Sequence, residues 1–243
     1  MSRGLKKSQA VIPAAYLLVE IGLSIAVQLT HGAVNKTVSY ALVGIAFLFT
    51  FYFAEQRLRY LFMQLGLAFT LCADLFLLIL NRDYVVGVSF FVLAQLCYFG
   101  RIYLECDSER VRKIHLIVRG AVIVLSLVLP AIVLGDRVDL LSIISVLYFA
   151  NLVLNTAFAF VDFKKNPILP IALLLFCFCD VFVGFSNMSG YFSFERGTLA
   201  WWLAHPGFNA AWLFYSPSQM LLGISLLPVR IREMSREKEK SSD

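Results

Sequence analysis

Long apolar runs alternate with short polar segments along the whole chain. A transmembrane helix needs about 20 mainly apolar residues, and eight runs reach roughly that length. The longer connection over 190–206 is rich in aromatic residues, so we expect it to cap the bundle at the membrane interface. We therefore predict an all-α, polytopic membrane protein with eight transmembrane helices, over residues 11–29, 37–54, 60–80, 84–104, 114–134, 138–160, 168–189 and 207–228.

Composition agrees with this prediction and limits the alternatives. Hydrophobic residues make up 60% of the 243 positions and charged residues 15%, whereas a soluble domain carries about 25% charged residues. We predict one transmembrane domain over 1–229 and a charged tail over 230–243. The five cysteines lie in or beside the spans and fit no zinc-binding spacing, so we expect no disulfide framework, no metal and no cofactor.

The distribution of basic residues predicts the orientation. With the N-terminus inside, most Lys and Arg residues, Arg101 among them, fall on the cytoplasmic side. The opposite side then holds Lys36, Arg82, Arg137 and Arg196. This asymmetry favours cytoplasmic N- and C-termini, in the cell membrane, and it explains the net charge of +5 without nucleic acid as a partner.

Two acidic residues lie deep inside apolar runs. Asp74 falls about 9 Å from the outer end of the third span, and Asp180 about 14 Å from that of the seventh. A charged side chain at such a depth costs at least about 2.5–3.5 kcal/mol and normally serves a function inside the bundle. Two carboxyl groups that meet there can share one proton and act as acid and base. The alternative is that each acid only fixes helix packing.

Short similarities between the two halves suggest a repeat. Ala73-Asp74 and Cys179-Asp180 occupy the third and seventh spans, and Ala94-Gln95 and Ser218-Gln219 the fourth and eighth. Because four spans separate each pair, the halves would form two parallel four-helix repeats. Repeats of this kind place a polar site at their interface, so we expect Gln95 and Gln219 to join the acids.

Other polar residues inside the spans are weaker candidates. Glu20 is a third deep acid, which either lines the same cavity or pairs with Arg119; Arg119 could instead extend to the cytoplasmic surface. Tyr148 shares a helix face with two asparagines. We expect the remaining candidates to bind substrate or to pack between helices: Tyr98, Tyr148, Asn151, Asn155 and Tyr215.

The chain lacks the sequence motifs of several common classes of enzyme and cofactor protein. The chain contains neither H-E-x-x-H nor G-x-S-x-G, and no Gly-rich phosphate loop. The three histidines lie far apart, in or near predicted loops, and every lysine lies outside the spans. These features argue against a zinc hydrolase, a serine hydrolase and a retinal Schiff base.

At its acidic and glutamine motifs the chain resembles the YhhN-like lysoplasmalogenase family of eight-span membrane proteins. The family pattern has an acid after a small residue in the third and in the seventh span, and an aromatic/small-Gln element in the last. Three positions depart from it, since Ala73, Cys179 and Gln95 stand where Gly, Ser and His are usual. The matching segments are Gly66–Asp74, Phe90–Tyr98, Tyr148, Phe178–Asp180 and Phe214–Gln219.

The resemblance implies hydrolysis of the vinyl-ether bond of a lysoplasmalogen, a lysophospholipid substrate, to a fatty aldehyde and a glycerophospho-base. Asp74 and Asp180 would be the catalytic acids, with Gln95 and Gln219 positioning water or head group. Two alternatives stay open: a proton-linked small-solute transporter or lipid-binding protein without catalysis, and a scaffold whose acids only hold helices together.

Overall fold

The structure is a computed structural model that describes residues 2–53 and 57–231, with side chains over 11–52 and 57–231. The predicted tail over 230–243 therefore lies almost wholly outside the described residues, and its separation from the transmembrane domain stays a prediction.

Every regular element in the described ranges is helical. Eight helices are long and apolar enough to cross a membrane, as predicted. An α-helix suits this environment because it satisfies its own backbone hydrogen bonds, which lipid cannot do. The helices are α1 (Ser2–Leu29), α2 (Gly32–Phe49), α3 (Leu58–Asp74, continued by a π-helix over Leu75–Leu80), α4 (Tyr84–Glu105), α5 (Glu109–Leu134), α6 (Leu140–Val161), α7 (Ile168–Met188), the short α8 (Leu199–Ala204) and α9 (Ala210–Ile224).

Local signals explain several helix ends. The Ser108 hydroxyl accepts a hydrogen bond from the Val111 backbone at the start of α5, and Asp139 forms a capping box with Ser142 at the start of α6. Helix α5 begins five residues before the predicted span, because this cap and a polar first turn extend it into the interface. The 190–206 segment carries α8, whose Trp202 packs edge-on against Phe182.

The two halves pack in an equivalent way. The closest helix pair in the first half is α3 with α4, and the closest in the second is α7 with α9. In the same manner α2 packs on α1, α3 and α9, while α6 packs on α5, α7 and α4. Helix α1 also packs on α9, whereas α5 packs mainly on α6. The halves therefore meet through α4 with α6 and through α1 and α2 with α9, and the parallel repeat itself stays a prediction.

Close helix contact in the first half depends on a small residue. A Cβ atom at Gly66 in α3 would lie 2.5 Å from the Tyr98 ring of α4. The missing side chain lets that ring lie against the α3 backbone, where its hydroxyl lies 3.1 Å from the Thr70 hydroxyl. Thr70 is one turn before Asp74, so this contact fixes the helix that presents the first acid.

Arg101 corrects one detail of the sequence interpretation. From the sequence, Arg101 was expected among the basic residues of the cytoplasmic side. In the structure its side chain is completely buried near the end of α4. Its guanidinium donates to Glu105 (2.8 Å) and to the hydroxyl and carbonyl of Ser225 after α9 (2.6 and 2.8 Å). The residue therefore joins the two halves. The side of the membrane on which the termini lie stays a prediction.

Candidate active site

The two predicted acids lie in one buried region, and each receives a hydrogen bond from a tyrosine. The Tyr215 hydroxyl on α9 donates to Asp74 Oδ2 on α3 at 2.7 Å. The Tyr148 hydroxyl on α6 donates to Asp180 Oδ2 on α7. The Asp74 pair thus crosses between the halves, whereas the Asp180 pair lies within the second half.

Aromatic rings connect the two pairs. The Phe176 ring is edge-on to both tyrosine rings, with centroid distances of 5.2 Å to Tyr215 and 6.4 Å to Tyr148. Phe91 on α4 stacks on Tyr148 at 5.1 Å. These rings hold both hydroxyl groups in place and surround the acids with apolar surface, where an electrostatic interaction is stronger than in water.

The carboxyl groups are close enough to repel each other when both are ionised. Asp180 interacts electrostatically with Asp74, and the Cys179 thiol interacts electrostatically with both acids. Two neighbouring carboxyl groups in apolar surroundings disfavour each other's ionisation. The acids that the sequence places 106 residues apart are thus brought together.

Access differs between the two acids. Asp74 is 6% exposed, whereas Asp180 is half-buried. A cleft of about 220 Å³ lies between the end of α7 and the start of α9. Its lining includes Val183 and Asn187, which follow Asp180 by three and seven residues and so share its helix face. Asp180 itself does not line the cleft, but it lies about one helical turn before Val183.

A second polar cluster lies on α4, α5 and α6. Arg119 is 5% exposed and its guanidinium lies over the Phe99 ring at 4.0 Å. It donates to the side-chain oxygens of Asn151 and of Asn155 (2.5 Å for the latter) and lies 3.1 Å from His115 Nε2. Arg119 neither reaches the membrane surface nor pairs with Glu20, because α5 places it opposite the amides of α6.

His115 also corrects the sequence interpretation. Instead of lying in or near a loop, it is buried inside α5 and stacks on Phe158 at 3.8 Å. His115 is the second residue of the predicted span, and the helix begins six residues before it, at Glu109.

The two predicted glutamines fall in different surroundings. The Asn155 amide donates to the Gln95 side-chain oxygen at 3.0 Å and to its backbone oxygen at 2.8 Å. Gln95 therefore belongs with the arginine cluster. Gln219 is fully buried on α9, one turn after Tyr215, and Glu20 is fully buried on α1. Neither is hydrogen-bonded through its side chain to another described residue.

Sequence reasoning treated Tyr148 and Tyr215 as substrate contacts, and the structure makes them partners of the acids. It did not single out Thr70, Ser39, Ser216 or Ser225. The available signal was a hydroxyl residue inside an apolar span at helical spacing from a candidate: Thr70 precedes Asp74 by four residues. Among the described residues no group of three or more His, Cys, Asp or Glu side chains could hold a metal ion.

These features define a polytopic helical membrane protein with two buried acid–tyrosine pairs, one between its halves and one within the second half. The chain belongs to the YhhN family, whose family model matches residues 32–226 and so covers most of its length. That range contains both acids, both tyrosines and the arginine cluster. No curated protein and no solved structure matches the chain.

Proposed function

We propose that the protein is a membrane-embedded hydrolase that cleaves the vinyl-ether bond of lysoplasmalogens, with Asp74 and Asp180 as its acid and base. The observation that carries this proposal is the convergence of two carboxyl groups from different halves, each with one oxygen held by a tyrosine. Family membership supports the substrate class.

Vinyl-ether hydrolysis needs what such a pair supplies. The bond is cleaved by protonation of the vinyl carbon that carries no oxygen, which turns the neighbouring carbon into an oxocarbenium ion. A positioned acid accelerates the proton transfer, and a nearby carboxylate stabilises the cation. No metal or cofactor takes part in this scheme.

Access assigns the two roles. Asp180 is the more exposed of the two acids and precedes the cleft-lining residue Val183 by three residues, so we assign it as the group that meets water and acts as the base. Asp74, which faces Tyr215 and is almost fully buried, then holds the proton. Both assignments follow from the sharing of one proton by neighbouring carboxyl groups.

The cycle balances in three steps. Asp74 transfers its proton to the vinyl carbon. Water adds to the oxocarbenium carbon and gives a proton to Asp180, so that the substrate becomes a hemiacetal. Asp180 then protonates the glycerol oxygen as the carbon–oxygen bond breaks, while the hemiacetal hydroxyl returns its proton to Asp74 and becomes the aldehyde.

The cleft fits a substrate with one chain. At about 220 Å³ it is smaller than the roughly 300–1,000 Å³ of pockets that enclose a drug-sized ligand. It therefore suits the polar end of a lysolipid, while the single hydrocarbon chain lies along the apolar bundle surface.

The decisive experiment measures fatty aldehyde released by the purified full-length protein. Substrates would be a lysoplasmalogen and two lysophospholipids with the same head group but an alkyl-ether or an ester chain. We expect aldehyde from the vinyl ether alone. In D₂O the aldehyde should carry one deuterium on the carbon next to the carbonyl, the signature of protonation at carbon. No aldehyde, or aldehyde without that label, contradicts the proposal.

The equivalent packing of the two halves also favours a second candidate, a proton-linked transporter of a small solute. Parallel repeats in transporters place the coupling acid at their interface. Proton-coupled solute uptake into proteoliposomes without aldehyde release would support this candidate over the hydrolase.

A further inference from the structure

Helices α1, α2 and α9 meet in a region that the acid pairs do not use. The Tyr16 hydroxyl on α1 donates to the Met220 carbonyl of α9 at 2.9 Å. A Cβ atom at Gly223 would lie 2.4 Å from that hydroxyl and 3.1 Å from the Ala46 carbonyl of α2. Only glycine allows this approach, so these contacts fix the relative level of the three helices.

Between this contact and the end of the bundle that holds the α1–α2 connection lie four buried polar side chains that have no hydrogen-bond partner among the described residues. Glu20, Ser39 and Gln219 are completely buried, and Ser216 is 1% exposed. Both Glu20 oxygens, both hydroxyls and both polar atoms of the Gln219 amide lack a hydrogen-bond partner among the described residues. A buried polar group without a partner is costly and calls for a bound ion or water.

Helical register places these side chains within about one helical turn of one another in level. Glu20 follows Tyr16 by four residues, Ser39 precedes Ala46 by seven, and Ser216 precedes Gly223 by seven. Each spacing keeps a residue on the face of its helix that makes the Gly223 contact. Because α1 runs antiparallel to α2 and α9, all three shifts lead in the same direction, and Gln219 lies one turn below Ser216.

We propose that Glu20, Ser39, Ser216 and Gln219 form a binding site for a monovalent cation, with sodium as the best-fitting ion. The side chains offer the carboxylate, hydroxyl and amide oxygens that hard cations prefer. The site is separate from the acid–tyrosine pairs and does not depend on the catalytic proposal.

Charge selects a monovalent ion. One carboxylate balances one positive charge, so a bound sodium ion leaves the buried region neutral. A divalent ion would leave an uncompensated charge in apolar surroundings, which is costly. In the described part of the chain no Lys or Arg pairs with Glu20, so no side chain there supplies that positive charge.

Thermal unfolding of the purified full-length protein tests the site. Sodium, potassium and choline chlorides would be compared at equal ionic strength over a range of concentrations. A ligand that binds only the folded protein raises Tm with its concentration. We expect sodium to raise Tm in a saturable way, choline to have no such effect, and potassium to need a higher concentration.

Variants and direct binding locate the ion. Glu20→Gln should abolish the sodium-dependent shift, and Ser39→Ala and Ser216→Ala should each raise the sodium concentration at half-effect at least about threefold. Glu109→Gln, the same change at an exposed position of α5, should leave the shift unchanged. Equilibrium dialysis with radioactive sodium gives the stoichiometry for wild type and for the serine variants, even if Glu20→Gln does not fold. Equal Tm values in sodium and choline, a full shift in folded Glu20→Gln, or no bound sodium in dialysis would overturn the proposal.

Discussion

One face of helix α6 contributes to two polar regions that differ in how completely their hydrogen-bonding groups are used. Tyr148 contacts Asp180 in the acid region. Asn151 and Asn155, three and seven residues further on, contact Arg119 in the other. The two regions therefore share a helix, a face and similar burial, and they differ mainly in chemistry.

In the acid region each carboxyl group receives a single side-chain hydrogen bond from the described residues. An ionised carboxylate offers about four acceptor positions, so most of its capacity is left for substrate or water. In the arginine cluster, the guanidinium interacts with two amides, one imidazole and one aromatic ring. Both terminal nitrogens of the guanidinium are used, although its Nε has no partner among the described residues. We therefore interpret the acids as groups that can react and Arg119 as one that holds helices together.

The largest effect that this comparison predicts is on activity. Asp74→Asn and Asp180→Asn should each lower kcat for lysoplasmalogen hydrolysis by about 10²–10⁴-fold, since each removes a proton-transfer group. An asparagine oxygen still accepts the tyrosine hydrogen bond, so Tm should change little. The measurements are aldehyde release and thermal unfolding, with Asp136→Asn in the exposed α5–α6 connection as control. Wild-type turnover in either acid variant would remove the distinction between the regions.

Arg119→Gln should show the opposite profile. It leaves the Asn151 and Asn155 oxygens buried without their donor, and each such orphan costs about 1–3 kcal/mol. We expect the free energy of unfolding to fall by about 2–5 kcal/mol, while turnover per folded molecule stays near that of wild type. Denaturant unfolding and aldehyde release measure the two quantities, and Arg110→Gln at an exposed position of the same helix is the control. Lost turnover at unchanged stability would place Arg119 among the reacting groups.

Tyr148→Phe should have a smaller effect on both quantities. The ring keeps its packing against Phe91 and Phe176, but the hydrogen bond to Asp180 is lost. One neutral-to-charged hydrogen bond contributes about 1.5–3 kcal/mol, so we expect roughly a tenfold or greater loss of kcat and a modest loss of stability. The reference is Tyr84→Phe, which removes a hydroxyl that donates to Asn81 at an exposed position. A change in stability alone would make Tyr148 a packing residue.

The smallest effect is expected outside both regions, at the N-cap of α6. The Ser142 backbone N–H, donating to Asp139, lowers the pKa of that exposed carboxyl. A lowered folded-state pKa means that the charged form adds stability above the unfolded pKa, about 3.9, and that this stability is lost as pH falls through the folded value.

Asp139→Asn keeps the cap and removes the charge. We therefore expect wild type to exceed this variant in Tm near neutral pH, with the gap closing below about pH 4. Asp139→Ala removes the cap as well as the charge, so it should cost about 1 kcal/mol more than Asp139→Asn. Thermal unfolding from pH 3 to 8 measures both, and a pH-independent gap for Asp139→Asn would contradict the electrostatic explanation.

Much of the fold could be predicted because lipid imposes a strong constraint on sequence. Each span must be apolar for about 20 residues, so the runs ending at Leu29 and Leu80 show their boundaries directly. The meeting of Asp74 with Asp180 was also expected, because isolated acids are expelled from lipid towards the bundle interior.

Pairings between side chains were harder to predict, because they depend on helix rotation and on helix ends. Arg119 was assigned near the cytoplasmic end of its span, but the Ser108 cap starts α5 earlier and carries it inward. Gln95 was expected beside the acids, and the Asn155 amide holds it in the other cluster. If a helix rotates about its axis by the angle of one residue, about 100°, its side chains meet different partners. The apolar pattern of a transmembrane span is compatible with more than one such rotation.

The π-helical stretch over Leu75–Leu80 has a consequence for how this architecture can change. A wide turn of this kind accommodates one more residue than an α-turn of the same rise, and it is frequent at functional sites. It begins immediately after Asp74, so deleting one residue there would restore regular α-helical winding while Asp74, Asn81 and the start of α4 kept their orientations. In this part of the protein, the helix can absorb a change in chain length by one residue.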